Sequence, residues 1–291
     1  MTMPTLLSRK MGANGFIITA ELAPPRGSDM SAFLRMAEFV APHVDAINVT
    51  DNQGANMRMT PLTAAALLVR EGIEPILQLT CRDRNRLALQ SDLLGAAAMG
   101  IHNVLALTGD HISCGDHSQG RAVFDLDSVL LIQTIQGLNE GRDFNGRPLD
   151  GNTTFFIGAA AAPEVEPFVV TRPKLAKKTL AGARFFQTQA VFDPQRLRMF
   201  CAAVEPLGVK VIAGVLVLRS AKMAEYINRN IPGLKIPPAV VERLANATDP
   251  AAEGLRIATG LAVQCRDICH GVHLMAMGRD EVVPEIVAAL K

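Results

Sequence analysis

The chain contains no tryptophan and a single tyrosine, Tyr226, and aromatic residues make up 4% of its 291 positions. A planar ligand would therefore have to be gripped by backbone, aliphatic and polar groups rather than between stacked rings. Neither sign of charge dominates: 29 Lys and Arg are set against 28 Asp and Glu, spread along the chain. That argues against a nucleic-acid footprint and against a polybasic membrane anchor. No apolar run reaches the roughly 18–20 residues of a spanning helix, and the N-terminus lacks the apolar segment of a signal peptide. The five cysteines are odd in number and follow no framework spacing. They fit a reducing compartment, so the expectation is a cytoplasmic protein with no nucleic-acid or membrane partner. A G-x-G-x-x-G fingerprint is missing after the first strand-like run, where Glu21-Leu-Ala-Pro-Pro25 stands instead. Its absence counts against an open, doubly wound dinucleotide-binding sheet.

What is present is an alternation of strand-like and helix-like runs from end to end. Strands are predicted at Phe16–Leu22, Ala46–Thr50, Ile76–Cys81, Asn103–Asp110, Thr154–Ala159, Arg184–Val191, Val211–Val217 and Gly271–Met277. Helices are predicted over about 29–41, with cap chemistry from Gly27-Ser-Asp29, from Pro61, from Arg82 to Gly100, over about 126–138, from Pro173, near 250–269 and at the C-terminus. Asn139 to Asn152 reads as a polar, Gly-rich surface loop. Eight β-then-α units in this length match an α/β fold of the single (β/α)8 TIM-barrel type, with one catalytic domain over residues 1–291.

Such a barrel carries its chemistry on the rim at the C-terminal ends of its strands. Two carboxylates, Glu21 and Asp110, arrive there from different strands. Glu21 lies in an apolar strand, where an ionised carboxylate is costly unless paired, so it either partners a basic group or holds a proton as a general acid. Alternation sets it on one face with Ile17 and Thr19, the more polar face. Asp110 follows Gly109, which lets backbone approach a ligand closely, although an Asp after a strand is also a common helix cap. Gln187 and Gln189, two apart on one strand, suit hydrogen bonds to a polar heterocycle. Lys174, Lys177 and Lys178 form either a solvated helix face or a contact for an anionic ligand. His111, Cys114 and His117, and likewise Cys265, Cys269, His270 and His273, match no strong zinc spacing, so no metal is expected.

Thr19-Ala-Glu-Leu-Ala-Pro-Pro25, Gln78-Leu-Thr-Cys81, Ala106-Leu-Thr-Gly-Asp110 and Gln187-Thr-Gln-Ala-Val-Phe-Asp193 together resemble, in order and spacing, motifs of the flavin-dependent methylenetetrahydrofolate reductases. The resemblance runs from about residue 12 to 290 and implies a barrel with FAD at its C-terminal rim. It implies reduction of 5,10-methylenetetrahydrofolate to 5-methyltetrahydrofolate by a ping-pong route, in which a donor reduces the flavin and leaves before the folate takes the hydride. By the motif match Glu21 is the general acid, Asp110 serves both flavin and folate, and Gln189, with Gln187 beside it, holds substrate. Thr50, Gln78, Thr108, Gly109, Asp110, Ala160, Lys174 and Lys178 fall where the family holds FAD. A chain of this length resembles the bacterial catalytic barrel without a regulatory domain, and a homo-oligomer is implied.

Gln78 stands where enteric relatives have His, and Ala162 where they have Tyr. Leu218-Arg-Ser-Ala-Lys222, with Ala221, replaces a segment carrying a stacking Phe. The stretch from Arg219 to Gly233 is more similar to reductases of anaerobes and acetogens. The reductant is accordingly NADH, NADPH or an accessory electron-transfer subunit. Two rival readings remain at this point. A Schiff-base lyase needs a lysine at a strand end, and none is predicted there. A flavin- or folate-binding subunit of a larger complex would have no need of Glu21, Asp110 and Gln189 together.

Overall fold

The computed structural model describes residues 5–165, 168–231 and 233–291. In chain order the elements begin α1 (Leu6–Gly12), β1 (Ile17–Leu22), α2 (Ser31–Val40), β2 (Ala46–Val49), α3 (Pro61–Arg70), β3 (Pro75–Thr80), α4 (Arg86–Ala98) and β4 (Asn103–Leu107). They continue α5 (Ser128–Asn139), β5 (Phe156–Ala161), α6 (Phe168–Ala181), β6 (Phe185–Ala190), α7 (Pro194–Val204) and β7 (Lys210–Leu216). The last are α8 (Ala221–Asn230), α9 (Pro238–Asn246), α10 (Pro250–Arg266), β8 (Gly271–Met275) and α11 (Val283–Ala288). The strands pair in parallel and in sequence, and β8 returns to β1 to close the barrel. The (β/α)8 expectation holds.

Most strands are apolar because both of their faces are covered. Outward residues such as Val49, Leu77, Val104 and Val272 pack under the helices. Inward residues change character with height. Near the bottom Ile17, Ile76, Leu105, Phe185 and Ile212 form an apolar plug with Leu7 and Met11 of α1. That helix was not anticipated; it is anchored by Glu74, whose carboxylate accepts the Leu6 and Leu7 N–H groups at 2.7 and 3.0 Å. Burying Leu7 and Met11 contributes about 2 kcal/mol each. Above the plug the interior turns polar, with Thr19, Asn48, Gln78, Gln187 and His273 all buried.

Several predicted boundaries shift. β4 ends at Leu107, so Thr108, Gly109 and Asp110 belong to the following loop. Pro173 does not start a helix: α6 begins at Phe168 and carries Pro173 inside it. A proline near the start of a helix loses little, because the first turn's N–H groups have no intrahelical partner and the next turn loses a single bond. α2 begins at Ser31, with Asp29 Oδ1 accepting the Ser31 N–H at 2.9 Å. Strand β6 carries a bulge between Gln187 and Ala190, whose partners on β7 are Ile212 and Gly214. Thr188 bridges it, with Oγ1 donating to the Gln189 carbonyl at 2.7 Å and accepting the Gly214 N–H at 2.9 Å. Only a glycine fits opposite, since a Cβ at residue 214 would lie 2.6 Å from the Thr188 carbonyl oxygen.

Candidate active site

At the C-terminal mouth of the barrel lies a cavity of about 330 Å³. Glu21, Gln78, Thr108, Gly109, Asp110 and Ala160 line it, as do Lys174, Lys178, Gln187 and Gln189. Of the residues to which the family resemblance gives a catalytic, substrate or FAD role, Thr50 alone does not line it, although its neighbours Asp51 and Asn52 do. Apart from His273, no aromatic ring lines this cavity among the described residues; its apolar wall is Leu105, Ala106, Leu107 and Met275. Four buried polar atoms around it make no hydrogen bond: Thr50 Oγ1, Gln187 Oε1, Gln189 Oε1 and His273 Nε2. Buried polar atoms without partners are costly, so such a cluster marks a place built to receive a polar ligand.

Glu21 occupies one corner, 8% exposed. Its Oε1 accepts from Gln53 Nε2 at 3.1 Å, and its Oε2 lies 3.5 Å from His273 Nε2. Across the ring, His273 Nδ1 is 2.9 Å from Thr19 Oγ1. Gln53 is offered by a tight loop in which Asn52, Gly54 and Ala55 all have positive φ, at 44, 62 and 61°. Non-glycine residues adopt that conformation only at a cost, and here it carries Gln53 to the carboxylate.

The opposite side is cationic. Lys174 and Lys178 stand one helical turn apart on α6 and both reach the cavity. Lys178 is 7% exposed and donates to the Ala160 carbonyl at 2.6 Å. Burial, reinforced by the charge of Lys174, pulls its ammonium down to about 8. A desolvated ammonium with a single neutral acceptor is a ready site for an anionic group. Between the two sides runs the loop after β4. Gly109 has φ +93° and lies so close to Thr80 and Arg82 that a Cβ would meet both at 3.1 Å. Asp110 caps no helix: the caps that follow are His111 and Asp127. Its carboxylate stays free to face the cavity.

Other residues here escaped the sequence reading. Arg82, read as part of a polar helix start, is 1% exposed. Its guanidinium donates to Asp83 and to the carbonyls of Asn52 and Asp110, tying three rim segments together. Asp51 accepts from the Thr80 N–H, the Thr80 hydroxyl and Arg84, all at 2.8 Å. The helix cap is instead Asn85, whose Oδ1 accepts from Leu87 and Ala88. Asp280, after β8, is pushed up to about 6, chiefly by burial. His273 is not marked as a site residue by its sequence, because an apolar strand shows nothing of the partners that reach it from β1 and β2. Among the described residues no group of three or more His, Cys, Asp or Glu is placed to hold a metal, and no helix is long and apolar enough to cross a membrane.

A family model described as methylenetetrahydrofolate reductase matches residues 6–291. Similar curated proteins include a probable methylenetetrahydrofolate reductase (NADPH) of Caenorhabditis elegans, 23% identical over 239 residues. Another is methylenetetrahydrofolate reductase 2 of Schizosaccharomyces pombe, 25% identical over 242 residues. Each alignment takes in 78% of this chain but only 34% and 35% of those proteins, so the chain spans about a third of their length. Among solved structures, tryptophan synthase from M. tuberculosis superposes with a TM-score of 0.51 at 15% identity, covering 98% of both chains. 2,3-Dimethylmalate lyase, a PEP mutase/isocitrate lyase superfamily member, gives 0.50 at 10% identity, covering 93% of this chain and 80% of its own. At these identities the likeness is one of fold alone.

Proposed function

The chain belongs to the methylenetetrahydrofolate reductase family, and from that membership we propose that it reduces 5,10-methylenetetrahydrofolate to 5-methyltetrahydrofolate with FAD, as one catalytic barrel over residues 1–291. The observation that carries the reading is the pairing, in one cavity, of a buried acid with unpartnered amide acceptors and a desolvated cation. The cavity suits FAD without aromatic stacking. Lys174 and Lys178 would meet its anionic phosphate region, while Gln78, Thr108, Gly109 and Asp110 would face its polar ring edge, with Ala160 and Thr50 alongside. When bound, FAD would supply the hydride to the folate, having itself been reduced by the electron donor.

The chain's own residues supply orientation and the proton. Gln187 and Gln189 present carboxamide oxygens that require N–H donors, which the pterin of a folate carries. Asp110 fixes the same ring and opposes its positive charge as it develops. Glu21 holds a proton and delivers it to the imidazolidine nitrogen that leaves. The C–N bond breaks, and the methylene carbon becomes an iminium able to accept hydride. The carboxylate so formed keeps the Gln53 amide on one oxygen.

Glu21→Gln is expected to leave flavin binding and flavin reduction by the donor within about 2-fold of the parent. Folate turnover should fall by at least about 100-fold. Anaerobic stopped-flow of the two half-reactions separates these effects, and unimpaired folate turnover in the variant would remove Glu21 from the chemistry. The same apparatus, with NADH and then NADPH, identifies the donor. If neither reduces the flavin, the reductant is an accessory electron-transfer subunit.

A further inference from the structure

We propose that Asn48 and Gln78 are positioning residues that fix His273 in its Nε2–H tautomer, so that an N–H and not a lone pair faces Glu21 as its proton leaves. The proposal rests on the folate reading only for the fate of that proton. The chain of contacts has a direction. Gln78 Nε2 donates to Asn48 Oδ1 at 3.4 Å. With its oxygen engaged there, Asn48 turns Nδ2 toward His273 Nδ1, also at 3.4 Å. A carboxamide nitrogen only donates, so the ring nitrogen that it meets presents a lone pair. The Thr19 hydroxyl, 2.9 Å from the same Nδ1, can donate or accept and so follows the amide. A neutral imidazole has one N–H, and with Nδ1 accepting, that proton sits on Nε2.

Nε2 lies 3.5 Å from Glu21 Oε2 and makes no hydrogen bond at that distance. A buried donor held just short of a carboxyl oxygen gains most when negative charge appears on it. The other oxygen already accepts from Gln53. The carboxylate left after proton transfer would therefore meet a donor at each oxygen. The opposite tautomer would aim a lone pair at Glu21 and hold the proton on it. The register builds this arrangement into the barrel, since Glu21 pairs with Asn48 and Thr19 with His273 on adjacent strands. Asn48 and His273 are 0% and 1% exposed, immediately above an otherwise apolar layer.

The test is the tautomer itself, read by ¹⁵N–¹H multiple-bond NMR of histidine-labelled protein near neutral pH without folate, with His273 assigned by its loss in His273→Gln. The parent is expected to show Nε2 protonated and Nδ1 bare. Asn48→Asp replaces the donor by an acceptor and should protonate Nδ1. Should that variant fail to fold, Gln78→Glu draws the Asn48 N–H to itself, turns Oδ1 toward the ring and protonates Nδ1 in the same way. A parent protonated at Nδ1 would overturn the proposal. In stopped-flow, Asn48→Asp should slow folate-driven flavin reoxidation by at least about 10-fold while the KM for folate and the rate of flavin reduction stay within about 2-fold. Parental reoxidation in a variant with Nδ1 protonated would overturn the proposal's functional half. A parent that shows the Nε2–H tautomer but turns over no folate would contradict the proposed activity and leave the tautomer assignment standing.

Discussion

In the proposed FAD complex, Lys178 links cofactor affinity to pH. Its ammonium is held down at about 8 in the ligand-free protein by burial and by Lys174. An anionic phosphate beside it would favour the charged form and raise that value. The sign follows: below about 8 the amine is already protonated and binding exchanges no proton. Above it, binding must take up a proton, so affinity falls as pH rises. FAD titrated by flavin fluorescence should therefore bind with a flat profile at neutral pH and progressively more weakly through pH 8 to 10. Lys178→Met should weaken binding by about 10-fold at neutral pH and flatten the slope. An unchanged slope in the variant would place the linked proton elsewhere. At this scale the sequence was informative where a polar residue interrupts an apolar run, as at Glu21 and Gln187. It was silent on His273, whose contacts with Thr19 and Asn48 span 254 and 225 residues. It was equally silent on Gln53, whose role depends on three positive φ angles in one loop.

In the proposed reaction, substrate orientation turns on the β6 bulge. Period-two alternation alone would set Gln187 and Gln189 on one face, and the extra residue alters that register while Thr188 closes the gap. Both glutamines still line the cavity. Gly214 permits the bulge, because a Cβ there would meet the Thr188 and Gln189 carbonyl oxygens at 2.6 and 2.8 Å. Those are backbone atoms and cannot rotate away. Gly214→Ala is expected to lower stability by about 2 kcal/mol in urea unfolding and to raise the KM for folate more than it lowers kcat. An unchanged KM would show that the bulge does not orient Gln189. Element order and type were legible because each strand is an apolar run bounded by turn chemistry. Boundaries were less so. Asp110 falls beyond its strand, Pro173 inside its helix, and α1 gave too short a pattern to stand out from its surroundings.

For the molecule as a whole, the barrel divides its interior by height. An apolar plug at the bottom, completed by α1, fills the barrel, and the buried polar layer stands directly above it. The rim loops then tie to one another through Arg82, Asp51 and Arg84. In the proposed FAD complex this order would let a chain with so few aromatic residues grip a planar cofactor: shape would come from the barrel wall, and recognition from amides, a carboxylate and two lysines. The central claim is that these parts reduce a folate. Its most direct measurement mixes the FAD-loaded protein, reduced under anaerobic conditions, with 5,10-methylenetetrahydrofolate while flavin absorbance is followed and products are quantified. Full reoxidation with one 5-methyltetrahydrofolate formed per flavin is the expected result. A flavin that stays reduced, or one that reoxidises without the methyl product, would contradict the account.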